Sequence, residues 1–374
     1  MASLPSHTQA VTVQKSRSTS ATYANDALLE EKRIQPLNEG QVLVKINAAW
    51  LIAGFLNLQL WIRKAQYPGI VQGSIFGADG AGIVVASSER NDALLNKRVF
   101  LVPMRGWESD SRAPESSFTI IGGGGAMAPL GTFAQYVAVE RDQVIQSPDH
   151  LSDEEISVFP VGGVTAWRAV VVNAQVKKGD NVLITGIGGG VALVALQICL
   201  ALGANVYVTS GHEDKIRKAV ELGAKGGVNY KADNWPSQLE AKLKEAGGGK
   251  KGDDILLTSV IDSGGGDIMG KVGRTLRKGG KVVVYGMTAN PKITFTMREV
   301  LKNQQLLGST MGSHKDLIDA TQFLAEHRIV PIISHTLDGL ESVEDGFQLL
   351  EGGSHFGKVV IRIRHRSDTH AARL

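Results

Sequence analysis

Thr185-Gly186-Ile187-Gly188-Gly189-Gly190-Val191-Ala192 is the stretch whose reading decides the fold. Asn181 to Thr185 before it has the apolar character of a short buried strand, and Val191 to Leu202 after it reads as a helix closed by Gly203. Side chains are therefore absent where a pyrophosphate would come against backbone N–H groups, and a helix N-terminus adds partial positive charge there. The fit to G-x-G-x-x-G/A is imperfect. Counted from Gly186 the sixth position is Val191; counted from the next residue it is an acceptable Ala192, but the first is Ile187. A glycine run alone also suits a structural turn. Strand before, helix after and alternation beyond favour dinucleotide binding at Gly188, Gly189, Gly190 and Val191.

The alternation continues outward. Asn205 to Thr209 reads as a second strand and Glu213 to Leu222 as a second helix, again followed by glycine at Gly223. Further strands are expected at Gly227 to Tyr230, Asp254 to Asp262, Lys281 to Tyr285 and Leu306 to Ser309. Strand and helix alternating at this spacing predict a doubly wound parallel sheet. Helices are expected over His314 to His327 and Val343 to Leu350, with a last strand at Lys358 to Ile363.

Cofactor choice is read at the end of the second strand, where an NAD enzyme presents an acid to the ribose 2′-hydroxyl roughly 20 residues after the glycines. Thr209-Ser210-Gly211 stands there instead. No carboxylate opposes a 2′-phosphate, Ser210 offers a hydroxyl donor, and Lys215 and Arg217 follow in the next turn. One or two charge-assisted hydrogen bonds, about 1.5 to 3 kcal/mol each, would favour NADPH by roughly ten- to several hundred-fold. The alternative is that Lys215 and Arg217 form a solvated helix face beside Glu213 and Asp214. NADP(H) is the expected cofactor.

Upstream, short β-rich runs punctuated by Gly and Pro succeed one another at Gln9 to Val13, Gln41 to Ile46, Gly82 to Val85, Arg98 to Val102 and Thr132 to Val139. This half reads as a β-rich, partly barrel-like domain, with Met104 to Ala128 a long irregular excursion. The 374 residues suit two domains. Apolar residues at 43% and charged residues at 21% describe a soluble body with no membrane span. Forty basic against thirty-seven acidic side chains leave +3, too thin an excess for a nucleic-acid footprint. The one cysteine, Cys199, lies in an apolar run, which suits a buried thiol and a reducing compartment.

Beyond the glycine loop, the chain resembles the zinc-free, quinone-reductase-like branch of the medium-chain dehydrogenase/reductase superfamily. The matching segments are Tyr67-Pro68-Gly69, Gly77-Ala78-Asp79-Gly80-Ala81-Gly82, Gly131-Thr132-Phe133-Ala134 and Pro160 through Trp167. After the loop come Val228-Asn229-Tyr230, Gly279-Gly280-Lys281-Val282-Val283, Gly308-Ser309 and Gly357-Lys358-Val359-Val360. Each is generic alone; their order and spacing carry the resemblance along nearly the whole chain. It implies an α/β fold: a Rossmann doubly wound parallel sheet, residues 156–309, inserted in a GroES-like, β-rich catalytic domain of residues 1–155 and 310–374. It also implies that Thr165 lies near the nicotinamide and Tyr230 near the adenosine phosphate. Gly286, Met287, Ser309 and Thr310 would line the nicotinamide site, and Lys358 would approach the cofactor phosphates, unless it is an exposed terminal lysine.

Zinc-dependent relatives carry Gly-His-Glu where this chain has Gly77-Ala78-Asp79, and no histidine occurs between His7 and His150. Catalytic zinc takes three protein ligands, so a zinc-free mechanism is expected, with Asp79 supporting the fold or moving a proton. Zinc-free relatives often place an Asn and an Asp in a short turn after the first Ala-Ala; here Ala48-Ala49 leads into Trp50 through Gln59, and Asn57 and Gln59 stand nearest those positions. Hydride delivery from NADPH to a quinone or α,β-unsaturated carbonyl is then the simplest chemistry, with Tyr67 either donating to the carbonyl or anchoring the packing. An enoyl-thioester reductase and a non-enzymatic NADPH-binding sensor are the alternatives. The resemblance implies a homodimer. No secretory signal is read at the N-terminus, so a cytoplasmic location is expected, or a peroxisomal one through Ala372-Arg373-Leu374.

Overall fold

The computed structural model describes residues 5–17, 22–51, 58–66, 69–123, 130–248 and 252–365. The chain divides into two compact units, Met1–Val161 with Ser313–Leu374, and Gly162–Gly312. The tripeptide Ala372-Arg373-Leu374 lies outside the described residues.

In the first unit the organising strand is Gln41–Leu51, apolar and buried over most of its length. Along one edge it pairs antiparallel with Gly80–Ser87. Along the other, Gln41 to Lys45 face Tyr136–Glu140, and Ala48 to Leu51 face the C-terminal strand Lys358–Arg362. Register shifts after Leu43 and Ile46 mark irregularities where a bulged strand can bend. Arg98–Leu101, Val144–Gln146 and Ile333–Asp338 complete the seven strands, and a hairpin of His7–Lys15 with Asn25–Arg33 forms a separate two-stranded sheet.

The expected strand Thr132 to Val139 is shorter, beginning only at Tyr136. Thr132 and Phe133 are used instead as a clasp: their amides donate to Gly77 O and Phe76 O, both at 2.8 Å, and Thr132 Oγ1 donates to Asp79 O at 2.8 Å.

The second unit is a six-stranded parallel sheet. In space the strands run Gly226–Asn229, Asn205–Ser210, Asn181–Ile184, Leu257–Asp262, Leu276–Val284, Gln305–Gly308. Numbered along the chain this is the order 3-2-1-4-5-6 of a dinucleotide-binding sheet, with the switch point between the first and fourth strands. Helix Gly190–Ala201 is apolar apart from Gln197, and eight of its twelve residues are buried.

Two local readings are revised. The fourth strand starts at Leu257, not Asp254, because Gly252–Ile255 forms a 3-10 turn. A helix at Trp235–Ala246 was not anticipated; its signals are Pro236 at the start and Trp235, Leu239 and Leu243 at four-residue spacing, all buried on the sheet.

Candidate functional site

At the switch point, Ile184 ends the first strand and Thr185 to Gly189 carry the chain into the helix. Gly186 and Gly188 have φ of 66° and 112°, and the second value is one that L side chains avoid. Ile187 N donates to Thr209 O at 2.8 Å and Gly186 N reaches Thr209 Oγ1 at 3.3 Å, which ties the loop to the second strand. Gly189 caps the helix without a side chain, so the amides of the first turn, from Gly190 through Ala192, are left for an anion.

A buried carboxyl holds the other side of the loop. Asp262 Oδ1 accepts from Thr185 Oγ1 at 2.7 Å, and Oδ2 from Gly265 N at 2.7 Å. Ser263 N donates to Thr185 Oγ1 at 2.9 Å. Burial raises the Asp262 carboxyl, and the bonds from Thr185 and Gly265 oppose that shift. Sequence reasoning passed over Thr185 and Asp262; a lone acid closing the apolar run Leu257 to Ile261 was the available signal.

The other cofactor candidates of this unit stand at the carboxyl ends of its strands. Ser210 ends the second strand, and its Oγ accepts from His212 N at 3.2 Å. Tyr230 follows the third strand, half-exposed, with its amide on Ser210 O at 3.1 Å. Gly286 and Met287 follow the fifth strand. Ser309 follows the sixth, its amide donating to Val284 O at 2.9 Å; its buried hydroxyl has no hydrogen-bond partner among the described residues. Thr310 beyond it is exposed. Thr165 is buried, with Oγ1 3.7 Å from Met311 Sδ. Lys215 lies in the first turn of helix Glu213–Glu221, and burial lowers its ammonium.

Lys358 belongs to the first unit, and it is not an exposed terminal lysine. Fully buried, its Nζ donates to Val158 O and lies 4.0 Å from the Trp50 ring centroid. Asp79 is buried with it, accepting from Val161 N at 3.1 and 3.2 Å. Burial raises the Asp79 carboxyl and lowers the Lys358 ammonium, while each charge opposes the other's shift. Gln59 falls on helix Leu58–Arg63; Asn57 and Tyr67 lie outside the described residues.

The comparisons agree with this geometry. An "Alcohol dehydrogenase GroES-like domain" model matches residues 38–149, and a "Zinc-binding dehydrogenase" model residues 190–326. A zinc-type alcohol dehydrogenase-like protein of Leptosphaeria maculans is 39% identical over 86% of this chain and 90% of its own. The chain belongs to the medium-chain dehydrogenase/reductase superfamily. A second superfamily relative, a zinc-type alcohol dehydrogenase-like protein of Schizosaccharomyces pombe, is 31% identical over 88% of this chain and 92% of its own. A solved NAD-dependent alcohol dehydrogenase superposes with TM-score 0.77 at 29% identity, covering 95% of this chain and all of that one. A crotonyl-CoA carboxylase/reductase in complex with NADP gives 0.80 at 21% identity, covering 96% of each chain, a likeness of fold. As a medium-chain dehydrogenase/reductase, the protein is an oxidoreductase with a GroES-like domain and a Rossmann-like sheet.

The zinc in the family names can be tested against donor chemistry. Among the described residues no three His, Cys, Asp or Glu side chains come together as a metal requires. At Gly77-Ala78-Asp79 the carboxyl is occupied by the Val161 amide, and Cys199 is buried in the glycine-loop helix, where burial pushes its thiol up. The described residues do not fit a catalytic zinc. Nor is any described helix long and apolar enough to cross a membrane.

Proposed function

We propose that this oxidoreductase binds NADPH and transfers its hydride, without zinc, to a quinone or an α,β-unsaturated carbonyl. The observation that carries the reading is the pairing of a glycine loop on a 3-2-1-4-5-6 sheet with a second-strand end that offers Ser210 and Gly211 in place of a carboxylate. Bound NADPH supplies the hydride. A conjugated acceptor needs no Lewis acid, only orientation and a hydrogen bond to its carbonyl. Tyr67 is the proposed donor, with Asn57 and Gln59 beside the acceptor and solvent giving the last proton. Lys358, Thr165, Ser309 and the Gly286-Met287 backbone complete the proposed cofactor contacts.

Purified protein should oxidise NADPH against a panel of quinones, enals and enoyl thioesters, with unchanged rate after exhaustive chelation and with a loss of about tenfold in Tyr67→Phe. Activity confined to enoyl thioesters would move the substrate to that class. Zinc-dependent alcohol oxidation with NAD would overturn the proposal.

A homodimer is part of the same reading. Strand Gln305–Gly308 ends the sheet with one partner, and the segment before it in sequence exposes Phe295, Met297, Val300 and Leu301, Leu301 at 77%. An open strand edge and a run of exposed apolar side chains each favour burial against a second copy. Light scattering should give twice the mass of one chain, and Leu301→Glu should halve it.

A further inference from the structure

The parallel sheet holds a cavity of about 340 Å³ at the amino ends of its strands, opposite the glycine loop. Its floor begins with Asn181 and Asn205, which open the first and second strands and stand opposite each other in the register. Two residues further on, and so on the same face, Leu183 and Tyr207 lead into the core. Gly226 of the third strand pairs with Tyr207 and, having no side chain, leaves room beside its ring. Leu243 from the last turn of helix Trp235–Ala246 and Ile255 before the fourth strand supply apolar walls. The second strand puts Asn205 and Ser210 five residues apart, roughly 16 Å at about 3.3 Å per residue, so a cofactor at the carboxyl ends leaves this cavity free.

Polar groups in the cavity are left without partners. Tyr207 is 1% exposed, and its hydroxyl has no hydrogen bond among the described residues, although a buried tyrosine hydroxyl normally finds one. Burial raises its phenol, which stays a neutral donor. Asn205 spends both amide hydrogens, on Gly179 O and Asn181 Oδ1, each at 3.2 Å, which leaves its carboxamide oxygen as an acceptor. At the rim Lys225 precedes the third strand and Asp254 the fourth, and neither side-chain charge is paired among the described residues. The two opposite charges thus stand at opposite ends of a row of four strands, with Tyr207 Oη and Asn205 Oδ1 between them. The carbonyl end of helix Trp235–Ala246 adds partial negative charge on the Asp254 side, since a methyl group placed on Gly247 would come within 2.6 Å of Ile255 Cγ2.

A ligand with a single charge is attracted at one end of this row and repelled at the other, whereas a zwitterion suits both. We propose that the cavity binds a free α-amino acid with an apolar side chain: its carboxylate on Lys225 Nζ and Tyr207 Oη, its ammonium toward Asp254 and Asn205 Oδ1, its side chain against Leu243 and Ile255. The volume lies near the lower end of the roughly 300–1,000 Å³ of small-molecule sites, which suits a ligand of this size. Full-length wild type, Tyr207→Phe and Asp254→Asn are titrated by calorimetry with L-leucine, L-methionine and L-phenylalanine. Isocaproate and isoamylamine, which keep the leucine frame but lack the amine or the carboxylate, are titrated beside them.

Wild type should bind L-leucine, with isocaproate and isoamylamine each weaker by about tenfold or more. Tyr207→Phe and Asp254→Asn should each lose about tenfold in L-leucine affinity. Ligand-free Tyr207→Phe should melt no lower than wild type, because the hydroxyl it removes has no partner to lose; a lower melting temperature would show that hydroxyl already engaged and overturn the site. No binding of any of the three amino acids up to their solubility overturns the proposal. An L-leucine affinity unchanged in both variants puts the ligand elsewhere and overturns it too, and isocaproate or isoamylamine binding as tightly as L-leucine overturns the zwitterion.

Discussion

The two units use buried polar chemistry in opposite ways. In the sheet unit the work is done by main chain: amides at a helix start, carbonyls and a short hydroxyl at strand ends, with Asp262 serving to hold the loop in shape. In the first unit the interior carries two buried titratable side chains, Asp79 and Lys358, whose charged forms burial opposes and which come from segments far apart in the sequence. Main-chain sites require particular residue types at fixed spacing, because only glycine lets the backbone approach and only a short strand followed by a helix aims the amides. A side-chain pair requires only that two segments meet. The first kind of site can be read in a sequence; the second emerges from pairing, here of Lys358–Arg362 with Ala48 to Leu51.

The sharpest way to break the contrast is to remove one of the two groups. Asp79→Ala removes the carboxyl that opposes the lowering of the Lys358 ammonium and strips the buried Val161 amide of its acceptor, and a buried polar group left unsatisfied costs about 1–3 kcal/mol. Urea unfolding should show that loss for Asp79→Ala and a comparable one for Lys358→Met, with the double variant Asp79→Ala/Lys358→Met losing less than the sum of the two. Additive losses in the double variant would mean that the two groups do not act as a pair.

The corresponding change in the sheet unit should strike cofactor binding as well as stability. Gly188→Val forces a β-branched residue to a φ of 112° and misdirects the first-turn amides. Losing one or two charge-assisted hydrogen bonds to a pyrophosphate lowers NADPH affinity about ten- to a hundredfold, read by fluorescence titration. Thr185→Val is a smaller perturbation of the same site. It strips Asp262 Oδ1 of its 2.7 Å donor in a buried setting, at a cost of about 1–3 kcal/mol, and should weaken cofactor binding less than Gly188→Val.

These contrasts explain what was legible in advance. The alternation of strands and helices, the loop at Gly186 to Gly190 and the strand ends at Ser210 and Tyr230 follow from periodicity and from residues that main-chain sites demand. Lys231 follows the third strand, and its place over Gly211 depends on the parallel pairing of Ser210 with Asn229, which spacing along the chain does not show. Thr132 and Phe133 alternate like a strand but spend their amides on Phe76 and Gly77, a choice that tertiary pairing makes and propensity cannot. Helix Trp235–Ala246 was missed for a local reason: its buried face is a narrow stripe in an otherwise polar run.

The smallest expected effect refines the comparison within the first unit, where Asp92 makes a pair of another kind. Its carboxylate is fixed by Arg141 through Nε at 3.0 Å and Nη2 at 2.8 Å, with Ser87 Oγ and Leu94 N also donating, but Arg141 remains one-third exposed. Hydrogen bonds from Arg141 lead in lowering the carboxyl to about 2, whereas burial dominates at Asp79 and raises it. An unfolded aspartate titrates near about 4, so the Asp92 contribution is complete above that pH and disappears as pH falls through about 2. Solvent around Arg141 screens the pair, so the contribution is modest. Acid unfolding followed by circular dichroism should therefore show Asp92→Asn less stable than wild type at pH 6, with the two curves converging toward pH 2. A gap that persists at pH 2 would assign the loss to the hydrogen bonds from Ser87 and Leu94, not to the charge.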